Sequence, residues 1–488
     1  MIKYRKLNPN KIKSKTMSVD KIEEQTFKRS VLLVSTFAAF LVPFLSSAIN
    51  LALPSIGKDL HATAISLGWV ISSFILSSAI FLLPFGRLAD IIGRKKIFSL
   101  GILLFTISTF LIVFSWNITS LIVLRVFQGF SSAMIFGTSL AMITSVYQPG
   151  ERGKAMGINI TATYLGLSCG PIIGGFLTQY LGWRSIFGFL IPFGVLSLVL
   201  INRKIKTEWQ DARGEKFDWV GSLLYGIAMF SFIFGFSRLP AISGWIFIII
   251  GTLLAVVFLV VEKTFSNPVF DVRLFIRNRV FAFSGMAALI NYAATSAIGF
   301  FISLYLQYLK GFDARTAGLI MISQPLAMTI LSPIAGKLSD KKNPGAIASF
   351  GMGLTATGLV FLCFVNETTP TYLIVLLLLL MGVGFGLFSS PNSNAIMSSV
   401  EKRHLGVASG VVGTMRMVGQ MMSMGIAMML ISLYIGNQTI NPATYPGLIA
   451  SMRTGFIIFS ILSIVGVFAS LARNKNLGWS GQHKTPIK

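Results

Sequence analysis

The chain has 488 residues, 54% of them apolar and 12% charged, with 41 Lys and Arg against 16 Asp and Glu and a net charge of +25. So little charge cannot cover a soluble globule of this length, which excludes a water-soluble domain and assigns the chain to lipid. The positive balance does not by its sign point to nucleic acid as a partner, because what it means depends on where the basic residues fall, and they fall in the tails and loops of one side of a membrane protein.

Residues 1–29 hold nine basic groups and no apolar core before Val31, so they read as a solvated tail touching anionic headgroups, not a cleaved signal. Fourteen mostly apolar stretches follow, centred near residues 41, 77, 106, 130, 167, 193, 227, 253, 294, 326, 355, 383, 420 and 462. Each reaches the roughly 20 residues that cross a bilayer. Backbone groups in hydrocarbon must be paired internally, so these are helices and the fold class is an all-α integral membrane protein. The first ends in Asn50-Leu51-Ala52-Leu53-Pro54. Between the second and third lies Gly86-Arg87-Leu88-Ala89-Asp90-Ile91-Ile92-Gly93-Arg94-Lys95-Lys96. Gly86 and Gly93 permit close approach and a tight turn there. Asp90, Arg94 and the later Glu151 suit a charge cluster bridging loop and helix ends, able to hold a cytoplasmic gate shut; plain charge anchoring by Arg87, Arg94, Lys95 and Lys96 is the simpler reading.

Arg125 lies inside the fourth stretch with Gln128 one turn on. A charge at that depth costs about 2.5–3.5 kcal/mol on insertion scales, so Arg125 is either a working group in a water-filled interior or a structural arginine satisfied by backbone carbonyls. In the fifth stretch Gly166, Gly170 and Gly174 recur every four residues, letting another helix pack on bare backbone, and Pro171 adds a kink. Two charged interruptions, Asn202 to Asp218 and Glu262 to Arg279, enclose two further helices over about 217–237 and 243–262. Asn50, Tyr164, Asn291, Tyr292 and Gln307 are polar candidates for lining a substrate cavity. Cys169 and Cys363 sit inside apolar stretches and indicate neither a disulfide framework nor a metal cluster. The thirteenth stretch combines Arg416 and Gln420 with Met415, Met417, Met421, Met422, Met424, Met428 and Met429; soft thioethers suit a permissive pocket, or serve as packing filler. His61, His404 and His483 form no ligand or triad pattern, so no metal, cofactor or catalytic residue is expected.

The Gly86 loop returns 250 residues later. Gly336, Leu338 and Asp340 match Gly86, Leu88 and Asp90, with Lys337 for Arg87, and the same offset places Gly68 on Gly318, Glu151 on Glu401 and Arg152 on Lys402. The expected organisation is a tail (1–29), a six-helix bundle (30–202), a linker with two extra helices (203–280), a second six-helix bundle (281–473) and a tail (474–488). Duplicated bundles of this kind are typical of transporters. Assigning alternate loops to the two sides puts Lys58, Arg184, Arg238, Lys310, Arg315 and Arg453 on one side and Arg125 and Arg416 within spans, which leaves 33 of the 41 basic residues on the side of both termini. By the positive-inside rule that side is the cytoplasm, and the chain is a multi-pass cell-membrane protein.

These residues resemble the major facilitator superfamily, and within it the fourteen-span drug:proton antiporter branch, from about residue 45 to 430. The likeness is carried by Gly86, Leu88, Asp90, Gly93, Arg94 and Lys95; by Arg125-Val126-Phe127-Gln128-Gly129; and by the antiporter spacing Gly157, Gly166, Gly170-Pro171 and Gly174-Gly175. Asp218-Trp219-Val220-Gly221, Leu306-Gln307 to Ala317-Gly318, and Gly406-Val407-Ala408-Ser409 with Arg416 extend it. The resemblance implies a major facilitator fold, alternating access and exchange of a small-molecule substrate against protons by a monomer. Taken with the buried charges and the charge cluster read above, transport or coupling is expected of Arg125, Gln128, Arg416 and Gln420, and a cytoplasmic gate of Gly86, Asp90, Gly93, Arg94, Glu151 and Asp340.

The chain also departs from that pattern. Leu45 stands where exporters of cationic drugs commonly carry an acid, and all sixteen Asp and Glu fall in tails, loops or span ends. Proton coupling usually wants a desolvated carboxylate, so a span-end acid serves or coupling is to something else, and two buried arginines fit a neutral or anionic substrate at least as well. Export of a metabolite, peptide or organic anion is the alternative. An ATP-driven pump lacks its Gly-x-x-x-x-Gly-Lys-Ser/Thr run, and an intramembrane enzyme lacks a nucleophile, metal set or acid pair at depth.

Overall fold

The computed structural model describes residues 9–147, 151–265, 275–276, 278–400 and 405–473. Among the described residues, fourteen helices are long and apolar enough to cross a membrane. They are α1 (Pro9–Asp59), α2 (Ala64–Ile92), α3 (Arg94–Val113), α4 (Ile118–Val146), α5 (Arg152–Leu181), α6 (Arg184–Lys204), α7 (Trp219–Arg238) and α8 (Ile242–Thr264), followed by α9 (Arg279–Leu309) and α10 (Ala314–Ser339), then α11 (Pro344–Leu362), α12 (Thr371–Ser398), α13 (Leu405–Tyr434) and α14 (Tyr445–Ala472).

Local chemistry sets the boundaries. Asn117, Asp218, Asn278, Asp313 and Asn343 each accept a backbone N–H at the start of α4, α7, α9, α10 and α11, caps worth about 0.5–2 kcal/mol apiece. Gly93, at φ +128°, separates α2 from α3 in a conformation that L side chains avoid. One boundary differs from the sequence reading. The segment expected to be a tail is helical from Pro9 and continuous with the first span. No Gly or Pro interrupts it before Pro43, and the Glu24–Lys28 pair at 2.8 Å reinforces it one turn apart.

The first six helices pack α1 on α5 and α6, α2 on α4, and α3 on α4 and α6. The last six repeat this with every number raised by eight: α9 on α13 and α14, α10 on α12, α11 on α12 and α14. The duplication reaches single residues. Gly129 of α4 approaches the Phe74 carbonyl too closely to admit a Cβ, and Gly382 of α12 makes the same approach to the carbonyl of Gln324, which is Phe74 plus the 250-residue offset. The two sets meet through α2 against α13 and α5 against α10, contacts that the same shift of eight exchanges. The α7–α8 hairpin packs through α7 onto both α2 and α13, while α8 is mostly exposed, as a lipid-facing helix should be.

Candidate functional site

The halves are sealed at the face opposite the Gly86–Lys96 loop. Ser303 Oγ of α9 donates to the Asn50 carbonyl of α1 at 2.5 Å, and Gln307 Nε2 donates to the Leu51 carbonyl at 3.2 Å and to Ser303 Oγ at 3.0 Å. Alongside, the Ala64 N–H donates to the Gln438 carbonyl at 2.9 Å. Arg315 Nη1 of α10 donates to Tyr180 Oη of α5 at 3.1 Å, and its guanidinium lies over Phe176. Four such bonds at about 0.5–1.5 kcal/mol each give a closure of about 2–6 kcal/mol, strong enough to populate one conformer and weak enough to reopen. Helix α9 accommodates the seal by breaking near Ser296 and ending in a π-turn over Tyr305–Leu309, a distortion common at functional sites.

Tight backbone packing backs the seal. Gly166, Gly170 and Gly174 set α5 onto α1 at Phe40, Phe44 and Ala48, within the first bundle. Gly175 and Pro171 face the other half: a Cβ on Gly175 would lie 2.5 Å from the Ala314 carbonyl, and Gly318 abuts the Pro171 carbonyl. Gly157 has open space around it and takes no part in this packing.

Deeper between the halves, α5, α9, α10, α12 and α13 converge on one cluster. Tyr164 Oη and Ser389 Oγ share a hydrogen bond at 2.8 Å. The Tyr292 ring meets Phe385 edge-on at 5.4 Å, and Met328 and Leu167 complete the apolar wall. Arg416 lies 5.7 Å from the centre of the Tyr292 ring, within cation–π range, and its buried Nε has no hydrogen-bond partner. Gln420 is half-buried one turn along. Helices α5 and α10 are also joined here by a hydrogen bond shared between Ser168 Oγ and Thr329 Oγ1 at 2.9 Å.

Of the five cavity candidates, then, Tyr164 and Tyr292 come together. Asn50 and Gln307 belong to the seal. Asn291 is fully buried, with neither amide atom hydrogen-bonded. The α13 methionines divide similarly: Met417 and Met421 pack with Leu76, Ala79 and Leu82 of α2 and Ile233 of α7, and Met428 touches Gly68 and accepts from Ser72 at 3.1 Å. They form the contact between halves, where a flexible thioether tolerates sliding.

Arg125 is 1% exposed, and its partners all belong to the first bundle. Its Nε donates to the Val70 carbonyl of α2 at 2.9 Å and Nη1 to Gln128 Oε1 at 2.7 Å, while Gln128 Nε2 donates to Thr109 Oγ1 of α3 at 2.7 Å. The guanidinium also lies 4.3 Å from the Phe74 ring centre. Two charge-assisted bonds at about 1.5–3 kcal/mol each offset an insertion cost of about 2.5–3.5 kcal/mol, so the Val70 carbonyl, the Gln128 amide and the Phe74 ring hold the charge without a carboxylate.

At the loop face, Arg94 pairs with Asp90 at 2.7 Å and Asp211 at 2.7 Å and donates to Ser145 of α4 at 2.6 Å. Arg87 pairs with Glu215. The Lys95 N–H donates to Glu208 at 2.8 Å, and the Ala212 N–H to the Asp90 carbonyl at 3.0 Å. The motif therefore latches the segment after α6 onto the α2–α3 turn. Glu151, expected in this cluster, pairs instead with Lys28 at 3.3 Å, because the start of α5 lies along α1 while residues 208–215 supply the acids. Gly86 sits where Gly137 of α4 crosses α2. The Asp340 side chain and residue Glu401 lie outside the described residues.

Several buried groups escaped the sequence reading. Asp218 and Glu262, 1% and 2% exposed, converge at the base of the α7–α8 hairpin; Asp218 Oδ1 accepts from the Gly221 N–H at 2.7 Å, and a Cβ on Gly221 would lie 2.5 Å from Glu262 Oε1. Arg473, just past the end of α14, is buried and donates to Asn392 at 2.7 Å, to the Gly345 carbonyl at 2.8 Å and to Ser284 at 2.9 Å. Nothing in the local sequence distinguishes such span-end charges from exposed ones.

Two helical bundles repeated with an eight-helix shift, sealed at one face and holding an aromatic and cationic cluster between them, define a membrane transporter. Its sequence agrees: the profile of the Major Facilitator Superfamily matches residues 35–424 and 284–482, and the chain belongs to that superfamily, whose members are transporters and not enzymes. It is 29% identical to the riboflavin transporter RibZ of Clostridioides difficile over 79% of this chain and 84% of that protein. It is 28% identical to the multidrug resistance protein Stp of Mycobacterium tuberculosis over 79% and 73%, and 27% identical to the tetracenomycin C resistance and export protein of Streptomyces glaucescens over 83% and 76%. The crystal structure of the human organic anion transporter MFSD10 (TETRAN) shares the fold, with a TM-score of 0.65 at 15% identity over 91% of this chain and 99% of that one.

Proposed function

We propose that this chain is a secondary active exporter that exchanges hydrophobic or amphipathic small molecules against protons by alternating access, as a monomer in the cell membrane with both termini cytoplasmic. The observation that carries this reading is the cluster between the halves: Tyr164, Tyr292, Phe385, Met328 and Leu167 offer an apolar and aromatic surface, and Arg416 offers one cation. Such a lining suits molecules with a large apolar body and a polar edge. Similarity to Stp and to the tetracenomycin C export protein supports export of drug-like compounds. With the positive-inside orientation, the sealed face is the outer one, and this conformer receives substrate from the cytoplasm. The gate role of Gly86, Asp90, Gly93 and Arg94 then lies in fixing the segment after α6 against α2, α3 and α4.

A second reading, export of a neutral or anionic metabolite, is favoured by the unpartnered Arg416 Nε and by Leu45 in place of an acid. Similarity to a riboflavin transporter supports it. Purified protein in vesicles with an imposed pH gradient separates the two. Collapse of the gradient on adding an amphipathic drug supports the first; substrate flux with the gradient intact overturns proton exchange.

A further inference from the structure

A groove of about 630 Å³ runs between the start of α3 and the end of α6 at the loop face; it lies apart from the seal and the central cluster and shares with the latch only Glu208 and the Lys95 backbone. Its walls divide by chemistry. Lys95, Lys96 and Lys206 surround the end nearest the loops, with Asn202 and Ser99, and Leu100, Leu103 and Leu198 line the part that runs along the helices. Leu100 and Leu103 are 43% and 41% exposed on the outer side of the bundle, where acyl chains lie. None of the three ammonium groups forms an ion pair among the described residues. The one acid in the groove, Glu208, is turned to the backbone, accepting the N–H groups of Lys95 at 2.8 Å and Trp209 at 3.2 Å.

We propose that this groove binds one anionic phospholipid, its phosphate among Lys95, Lys96 and Lys206 and an acyl chain along Leu100, Leu103 and Leu198. Three lysines against one acid leave positive charge at the depth of the headgroups, and the exposed leucines continue the groove into hydrocarbon. Neither feature alone selects a lipid; together they match an anionic head joined to an apolar tail. Each basic residue near an anionic membrane surface contributes about a five-fold preference, so three give about 100-fold. The occupant would lie beside Arg94 and Glu208, which hold the latch.

Native mass spectrometry on the full chain, titrated with phosphatidylglycerol and with phosphatidylcholine, tests this. Wild type is expected to retain one phosphatidylglycerol about 100-fold more tightly than phosphatidylcholine, and Lys95→Gln/Lys96→Gln/Lys206→Gln to lose that preference. Arg203→Gln/Lys204→Gln, which removes charge beside but outside the groove, is expected to keep it. Should the triple variant melt early, exposed Lys206→Gln alone carries the comparison, with about a five-fold loss. Equal losses in the triple variant and the Arg203/Lys204 control, or no loss in either, overturn the proposal in favour of a general basic field. Displacement of the lipid by millimolar inorganic phosphate overturns it in favour of a free-anion site.

Discussion

Gly318→Ala perturbs the sealed face at the point where the structure leaves least room. The new methyl would overlap the Pro171 carbonyl of α5 and press on Leu51 of α1. The obstructing atom is backbone, so relief requires α10 to move away from α5. Overpacking of this kind costs about 1–3 kcal/mol, which at tenfold per 1.4 kcal/mol lowers the population of the sealed conformer about 5- to 140-fold against one open at that face. The reporter is Ser303→Cys, fully buried in the seal, in a background where Cys169 and Cys363 are alanine, labelled with a water-soluble maleimide. Gly318→Ala is expected to speed labelling of the reporter by that factor, while the α2–α4 crossing at Gly129 is untouched and the protein remains folded. Unchanged labelling of a folded variant would refute the reasoning, since it would mean that the α5–α10 contact does not control access to the seal.

Arg125→Ala removes two charge-assisted bonds and leaves Gln128 Oε1 without its donor, and after the insertion cost is returned it should lower thermal stability by up to about 3 kcal/mol, with Gln128→Leu in the same chain restoring part of the loss; a wild-type melting curve with abolished flux would make Arg125 a transport residue instead. Gly93→Ala forces a side chain into φ +128° against Glu208, a strain of about 1–3 kcal/mol, and is expected to speed proteolysis of residues 205–218. Arg416→Gln should leave folding intact and reduce transport of anionic and neutral compounds more than of cationic ones, measured as uptake into vesicles; equal effects on all three would remove Arg416 from recognition. Tyr164→Phe deletes the bond to Ser389, worth about 0.5–1.5 kcal/mol, and is expected to shift apparent substrate affinity by about 2- to 12-fold.

How much of this was legible depended on whether the signal was local. Span number followed from apolar runs, because lipid forces each run into a helix, and the 250-residue repeat paired Gly68 with Gly318, which sit at the equivalent contacts of α2 on α13 and of α10 on α5. The antiporter glycines were readable as packing sites through their four-residue spacing, yet which of them face the other half was not, since one position separates Gly174 from Gly175 and turns the contact from α1 to α10. Charge partners were the least legible. Asp90 and Arg94 are one turn apart and could be paired from sequence, whereas Asp211 and Glu215 reach the same loop only because the segment after α6 folds back on it. Asp218, Glu262 and Arg473 sit at span ends where exposure is the ordinary expectation, and tertiary packing alone buries them. Arg125 was left between two readings because depth fixes the cost of a charge but not the identity of the group that satisfies it.

The account rests on two bundles that close one face as the other opens. Double electron–electron resonance with one spin-label pair at residues 58 and 310 and a second at residues 203 and 342 measures both faces in the same protein. Between wild type and Gly318→Ala, the account predicts a longer distance in the first pair together with a shorter one in the second. Distances that lengthen together, or a change at 58 and 310 with none at 203 and 342, would contradict it.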